Sequence, residues 1–392
     1  MGRTAGLSAR SSLSRAWRAP GRWFWLGVWG VAFLASLWQY RATLRGGIED
    51  YDPTRYGWRD SRLAMRMARE EPPWPYFVRP LPPINIYYRP GAVMWYWAGM
   101  RLLGERPTAW RVWALAVEAT TATLLALLVA VCAGSRAPAL LAAAWFVLYG
   151  QHFEVLTWIG TQADLPAAAL GLGALAVLWR GRWRWRWRVA ASSVLLLMGL
   201  LTKETATGIL LFAVLSAPLW PVPARARDRA LAVGAFAFAA ALYLAARHAA
   251  LGELFAGLKQ PGLPPLRANL RAFVHLVWPL ASAPQVFASS LSLGWILLLT
   301  SSLWRLVWLH LVYYGGAALL FWRAWRPTAL FGAWVALTPL PALPLLVMGS
   351  RYEYLPSMGW GALGGLLLWQ AGGAALALAR ARFSPSPAAA RG

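Results

Sequence analysis

The chain carries little charge and almost no lysine. Of its 392 residues 13% are charged and 59% hydrophobic, against about 25% charged in an ordinary soluble domain. Only two of its 38 basic residues are lysine, acids number 14, and the formal net charge is +24. Cys132 is the one cysteine, which excludes an intrachain disulfide and leaves a packed thiol near a helix end as its expected role. No two of the four histidines have metal-ligand spacing, so a zinc site is not expected. What fills the chain instead is a succession of apolar runs of about 20 residues. That pattern is the signature of an all-α polytopic membrane protein.

A soluble chain this basic would point to nucleic acid. Here the arginines fall in short gaps between apolar runs, so membrane orientation explains them and no nucleic-acid partner is expected. Spans are expected near 22–40, 108–132, 136–150, 164–180, 189–202, 205–220, 229–250, 306–323, 328–348 and 358–379. Region 268–304 reads either as two more spans or as a re-entrant, surface-lying segment, for a total of 10 or 12. The start, MGRTAGLSARSSLSRAWRAPGRW, is basic, and no small-residue cleavage site follows the first apolar run, so that run is expected to be retained.

One side of the membrane receives the N-terminal stretch, Arg136, Arg180–Arg188, Arg225, Arg227, Arg229, Arg323, Arg326, Arg380 and Arg382. By the positive-inside rule that side is cytoplasmic. The expected layout is a basic cytoplasmic N-terminus (1–21), a single transmembrane domain (22–380) with a first periplasmic loop at 41–107, and a cytoplasmic tail (381–392). The run RGRWRWRWR alternates arginine with tryptophan, as interfacial anchoring requires. High Arg, Ala and Trp with little Lys fits a GC-rich bacterial genome, which would make this the inner membrane and its outer side periplasmic.

Asp228 falls on the cytoplasmic side and Glu118 inside a span; the other twelve acids fall at the outer side. Four polar clusters share that side: GIEDYDPTRYGWRD, YGQHFEVLTWIGTQAD, LLTKET and SRYEYLPS. Ionisable groups at membrane depth are costly and persist mainly where they serve a site, so these turns read as one cavity. Each also has a plainer reading. Lys203 and Glu204 could be a snorkelling pair, His152 and Glu154 could simply sit at the interface, and Arg351 and Glu353 could form a local ion pair. Glu118 could face Thr120 or Thr121 as a packing feature. His248, His275 and His310 read as structural. In the long first loop, RDSRLAMRMAREE places Leu63 and Met67 at helical spacing, which suggests an amphipathic helix on the outer leaflet. Seven prolines follow from Pro72 to Pro90 inclusive, so short helices joined by stiff segments are expected there.

The order of these motifs resembles that of the GT-C superfamily of membrane glycosyltransferases. It is most similar to the protein O-mannosyltransferase branch whose members carry tetratricopeptide repeats. That branch has an acidic pair and Tyr after the first span, as in Glu49-Asp50-Tyr51. A Tyr-Arg-Pro motif follows, as in Tyr87-Tyr88-Arg89-Pro90. The His-x-Glu, Trp and Ala-Asp-Leu segment is matched by His152, Glu154, Trp158 and Ala163-Asp164-Leu165. Lys203-Glu204, Trp278-Pro279 and the stretch from Arg351 to Ser357 complete the series. The resemblance covers roughly residues 40–380. Three departures stand out: Tyr149-Gly150 where the family has His-Pro, and Ser350 and Glu353 where it has Glu and Leu. The chain stops soon after its last apolar run, so no repeat domain is expected.

The resemblance implies a sugar donor linked to polyprenyl phosphate, presented on the outer side, with inversion at the anomeric carbon. The acceptor hydroxyl could belong to a protein, a lipid or a glycan. Such a reaction needs a carboxylate base, worth typically 10²–10⁴-fold, and cations to hold the departing phosphate. On this reading Asp50 is the base, with Glu49 and Asp52 as competing choices. Arg351 holds the phosphate first, Lys203 and Arg89 second. Tyr352 and Tyr354 hydrogen-bond the phosphate or line the sugar pocket, which His152, Glu154, Asp164 and Glu204 complete. No cofactor is expected, though divalent metal use stays open. A transporter or flippase of lipid-linked sugars, or a surface-polysaccharide ligase or polymerase, is the alternative.

Overall fold

The computed structural model describes residues 21–47, 57–81, 87–253, 316, 324–342 and 350–383. Among these, regular structure is helical, apart from one antiparallel bridge between Leu81 and Tyr87. Numbered in chain order over the described residues, the helices are α1 (Arg22–Gln39), α2 (Gly57–Glu70), α3 (Pro90–Leu103), α4 (Pro107–Ala133), α5 (Ala137–Leu148) and α6 (Phe153–Thr157). They continue as α7 (Asp164–Arg180), α8 (Trp185–Thr202), α9 (Ala206–Leu215), α10 (Ala226–Leu251), α11 (324–337) and α12 (Tyr354–Phe383). Proline opens α3 and α4, where its missing N–H is not needed. Pro107–Ala133, Ile159–Arg180 and Ala226–Leu251 are long and apolar enough to cross a membrane, and α5 and α9 are shorter apolar helices. The chain is an all-α polytopic membrane protein.

Helix α4 lies at the centre. It packs against α1, α5 and α7; α7 packs on α8, α8 on α10, and α12 runs along α5. Its inward stripe is Arg111, Ala114, Leu115, Glu118, Ala122 and Leu125, at the spacing of one helix face. Small residues set the α5–α12 contact. A Cβ at Gly365 would lie 2.5 Å from the Pro138 carbonyl oxygen and 2.7 Å from Ala142 N, so the two backbones touch there. This is the packing used where helices gain nothing from burying apolar area against each other.

The two ends of the bundle differ in chemistry. At one end Arg136 lies over Phe24 (5.1 Å) and Arg180 over Trp25 (5.4 Å), while Trp185 Nε1 donates to the Asp228 carbonyl (3.0 Å). Arg188 there donates to the carbonyls of Val177 and Leu178, closing the end of α7. Trp183 and Trp187 are 61% and 58% exposed, the placement of interfacial anchors. The opposite end gathers the turns before α3, α7, α9 and α12.

Boundaries shift from expectation for local reasons. Helix α8 begins at Trp185, because the arginines of RWRWR can stay in water while their stems cover the helix. Helix α9 stops at Leu215, where Pro218 lies in a 3-10 turn. Helix α12 begins at Tyr354, since Pro356 falls in its first turn and costs no hydrogen bond. The first-loop helix forms at Gly57–Glu70, and one face of it packs on protein. Ser61, Met65 and Ala68 are its buried positions, next to Ala92 and Tyr96 of α3 and to Ile159. The Gly160 N–H donates to Ser61 Oγ (3.0 Å), and the Tyr96 hydroxyl donates to the carbonyls of Ile159 (3.0 Å) and Gly160 (2.9 Å). Apart from Gly316, the expected span 306–323 lies outside the described residues, as does region 268–304 with Trp278-Pro279 and His275; His310 lies outside them too.

Gly365→Leu should force α5 and α12 apart at a cost of about 1–3 kcal/mol, lowering Tm in detergent by several degrees. Gly372→Leu on the same helix, where nothing lies within 4 Å, should leave Tm unchanged.

Candidate active site

The chain leaves α5 through a 3-10 turn at Gly150–His152, makes the short helix α6 and a second 3-10 turn at Ile159–Thr161, and enters α7 at Asp164. The facing stretch is a 3-10 turn, Ser350–Glu353, running into α12. Three contacts join the two like rungs. The Tyr149 hydroxyl donates to Glu353 Oε2 (3.0 Å). Glu154 Oε2 accepts the Arg351 backbone N–H (2.9 Å), with its Oε1 3.7 Å from Arg351 Nη1. His152 Nε2 lies 2.8 Å from Ser357 Oγ. Residues about 200 positions apart are thereby held in one register.

Behind the rungs stands Glu118 of α4. Its Oε1 is 2.6 Å from His152 Nδ1, and its Oε2 accepts the Tyr354 hydroxyl at 2.5 Å. Glu118 is 1% and His152 0% exposed. Both carboxylate oxygens and both ring nitrogens have a partner, which a buried polar pair requires. Phe146 and Tyr354 pack on the imidazole at 4.5 and 4.9 Å between ring centres. Glu118 does not pair with Thr120 or Thr121, whose hydroxyls donate to the carbonyls of Ala116 and Val117; it is the anchor of His152 and Tyr354. His152 and Tyr354 do not line a pocket, because both are sealed in the bundle and their polar atoms are already used.

The next layer is cationic. Lys203 caps α8 in extended conformation, and its Nζ lies 2.6 Å from Asp164 Oδ2, whose Oδ1 accepts Thr205 Oγ1 at 3.0 Å. Glu204 turns the other way. Arg89 Nε reaches its Oε2 at 2.7 Å, and Arg247 Nη1 its Oε1 at 3.3 Å. Lys203 and Glu204 are therefore not a pair with each other; each is held by a remote partner. Gly91 permits this, since a Cβ there would sit 2.5 Å from Thr202 Oγ1, and α3 could not then approach the end of α8. Arg89 also lies over Tyr87 at 4.0 Å. Arg351 and Glu353 likewise do not bond each other, their carboxylate partners being Glu154 and their phenol partner Tyr149 respectively.

Electrostatics ties the group together. Burial lowers the Lys203 pKa; Asp164 opposes this, and Arg89 and Arg351 add to it, so the net shift is downward. Burial would raise the Glu204 carboxyl, but Arg89, then Arg247, hold it below the usual carboxylate range. Glu353 is pushed up by burial, which the Tyr149 hydrogen bond and nearby His152 only partly offset. Arg351 is the most loosely held cation. Its Nε is buried without a partner, Nη2 is 3.4 Å from the Tyr352 hydroxyl, and the guanidinium lies 5.9 Å over Trp158 and 5.1 Å over Tyr352.

A buried arginine in the first turns of α4 holds the entry to the first loop. Arg111 donates to the carbonyls of Thr43 (2.9 Å), Gly46, Gly47 (2.6 Å) and Thr157 (3.4 Å), and Thr108 Oγ1 donates to the Leu44 carbonyl (2.7 Å). Glu49, Asp50 and Asp52 lie outside the described residues; Gly47, on this clamp, precedes Asp50 by three positions. Arg111 and Arg247 are polar groups that the sequence did not single out. Both are arginines within otherwise apolar helices, which is itself a signal of function or of a buried partner. Among the described residues no three or more His, Cys, Asp or Glu side chains form a metal-binding group.

Glu118→Ala should be strongly destabilising, about 3–5 kcal/mol, because it strands His152 and the Tyr354 hydroxyl. Glu118→Gln, which still offers an acceptor and a donor, should recover much of the loss in the same thermal unfolding measurement.

No family model and no curated protein matches the chain. Among solved structures it is similar to the archaeal oligosaccharyltransferase AglB from Archaeoglobus fulgidus, solved in complex with an inhibitory peptide and a dolichol-phosphate. The TM-score is 0.54 at 13% identity, over 93% of this chain and 52% of that one, so the chain spans about half the length of the structure it matches. The fold is GT-C-like.

Proposed function

We propose that this chain is an inverting glycosyltransferase, moving a sugar from a polyprenyl-phosphate donor to an acceptor hydroxyl at the outer face of the membrane. The observation that carries this reading is the meeting of Arg89, Lys203 and Arg351, from three remote turns, at the end of the bundle opposite the arginine–tryptophan anchors. Such a cluster suits the phosphate of a lipid whose tail lies in the bilayer. The GT-C-like fold supports it, as does the lipid phosphate in the complex of the similar structure.

The reaction divides among named groups. The acceptor oxygen attacks the anomeric carbon from the face opposite the phosphate. The bond from that carbon to the phosphate oxygen breaks, its electron pair leaves on the lipid phosphate, and the acceptor proton passes to a carboxylate. Asp50 is the proposed base, with Glu49 and Asp52 alongside it in the same stretch. Arg351, with spare donor capacity, grips the phosphate in bidentate fashion. Lys203 and Arg89 add charge from its other side. Asp164 and Glu204 keep those two cations placed, Glu154 holds the Arg351 turn, and Tyr352 offers its hydroxyl beside Arg351. His152 and Tyr354 act from behind, through the Glu118 anchor.

The motif order is similar to that of O-mannosyltransferases, with a protein, lipid or glycan hydroxyl as the acceptor and the site proposed to face the bacterial periplasm from the inner membrane. A transport route through the bilayer is less well supported, since Glu118, the acid inside a span, is closed off by His152 and Tyr354.

Three measurements test the reading, using purified protein in lipid with donor-turnover assays. Asp50→Asn should reduce turnover at least about 10²-fold at normal expression; unchanged turnover, with Glu49→Gln beside it, moves the base to another acid or the chain out of enzymes. Arg351→Lys should raise the donor KM about tenfold through loss of the bidentate grip, and equal kinetics would remove Arg351 from the phosphate site. Because its pKa is lowered, the Lys203 ammonium is lost below the ordinary lysine value of about 10.4. The donor KM should therefore climb with pH short of that value, and Lys203→Arg should flatten the climb.

A further inference from the structure

Two of the positions at which the chain departs from the family's pattern touch each other. Tyr149 stands where the family has His, and Glu353 where it has Leu, and the Tyr149 hydroxyl donates to Glu353 Oε2 at 3.0 Å. This carboxyl differs from the other acids at the outer end. Asp164, Glu204 and Glu154 each meet a lysine or arginine. The hydrogen-bond partner of Glu353 is a neutral phenol on one oxygen, and neither Tyr149 nor Glu353 is fully enclosed. Burial pushes the carboxyl up from its ordinary range, which the Tyr149 hydrogen bond and nearby His152 only partly offset.

Its place is also specific. Glu353 follows Arg351 by two residues in the same 3-10 turn, so a sugar whose phosphate was held by Arg351 would lie beside that turn. With the phenol proton given to Glu353, the carboxylate's remaining lone pairs and the phenol oxygen are acceptors to which a ring hydroxyl can donate.

We propose that Tyr149 and Glu353 form the subsite that reads a ring hydroxyl of the donor sugar, and so set which sugar is transferred. This rests on the glycosyltransferase reading above. Sites built to hydrogen-bond a hydroxyl discriminate strongly, because an analogue lacking it or turning it away leaves their polar groups unpaired.

The experiment compares wild type, Glu353→Gln and Tyr149→Phe on short-chain polyprenyl-phosphate mannose, glucose and galactose, and measures competition by sugar-free polyprenyl phosphate. Glu353→Gln should change the ratio of kcat/KM between the preferred and the next sugar at least about tenfold. Tyr149→Phe should move it the same way by less. Inhibition by polyprenyl phosphate should stay within about twofold in both, because the phosphate grip is intact. Altered stability or overall rate with unchanged sugar ratios overturns the proposal and makes the pair a structural rung. A change in acceptor preference with unchanged sugar preference overturns it too. If wild type turns over none of the donors and does not bind polyprenyl phosphate, the glycosyltransferase reading itself has failed, an outcome distinct from the other two.

Discussion

A carboxylate placed eleven residues after the start of an apolar helix must be met there by partners, since desolvating a charge costs several kcal/mol that packing alone does not offset. Glu118 is met from two directions, by the imidazole after α5 and by the phenol that opens α12. Those two partners come from the motifs that also carry Glu154 and Arg351. The register of the outer turns is thus set from inside the bundle. Once His152 and Tyr354 are fixed on Glu118, Glu154 has little choice but to face the Arg351 turn.

On that foundation the outer end is arranged as alternating charge. Each cation is near a carboxylate, yet the partners are not equally tight. Lys203 and Arg89 are held at 2.6 and 2.7 Å, Arg351 only at 3.7 Å from its carboxylate. Tight pairs keep a cluster of like charges from flying apart, while a loose member leaves donors for something else. Among the described residues, Arg89, Lys203, Arg247 and Arg351 face the carboxylates of Glu154, Asp164 and Glu204.

Much of this was legible in the residues. Apolar runs and arginine-rich gaps predicted helices and the chemistry of the two ends, because hydropathy and interfacial anchoring act locally along the chain. The polar turns were visible for the same reason: a Lys-Glu or an Arg-Tyr-Glu-Tyr at an apolar boundary is conspicuous. Pairing was not visible. Lys203 and Glu204 stand side by side yet bond Asp164 and Arg89, and Arg351 and Glu353 bond residues on the far side of the chain. Partner choice is a property of the packed bundle, which neighbouring letters do not encode. The same limit hid Arg111 and Arg247, whose side chains make sense only once Gly46, Gly47 and Glu204 are beside them. Amphipathic spacing in the first-loop helix fits a leaflet and a protein flank equally, so the flank offered by α3 was not legible in the residues.

The contact between α5 and α12 has a mechanical corollary. Where two helices meet backbone to backbone at Gly365, neither has side chains to compress, so the pair resists sliding as a keyed shaft does. The Ser350–Glu353 turn sits at the end of that shaft and inherits its stiffness. On the proposed reading, a phosphate arriving at Arg351 would be accommodated by the guanidinium's own torsions rather than by movement of the helix beneath it.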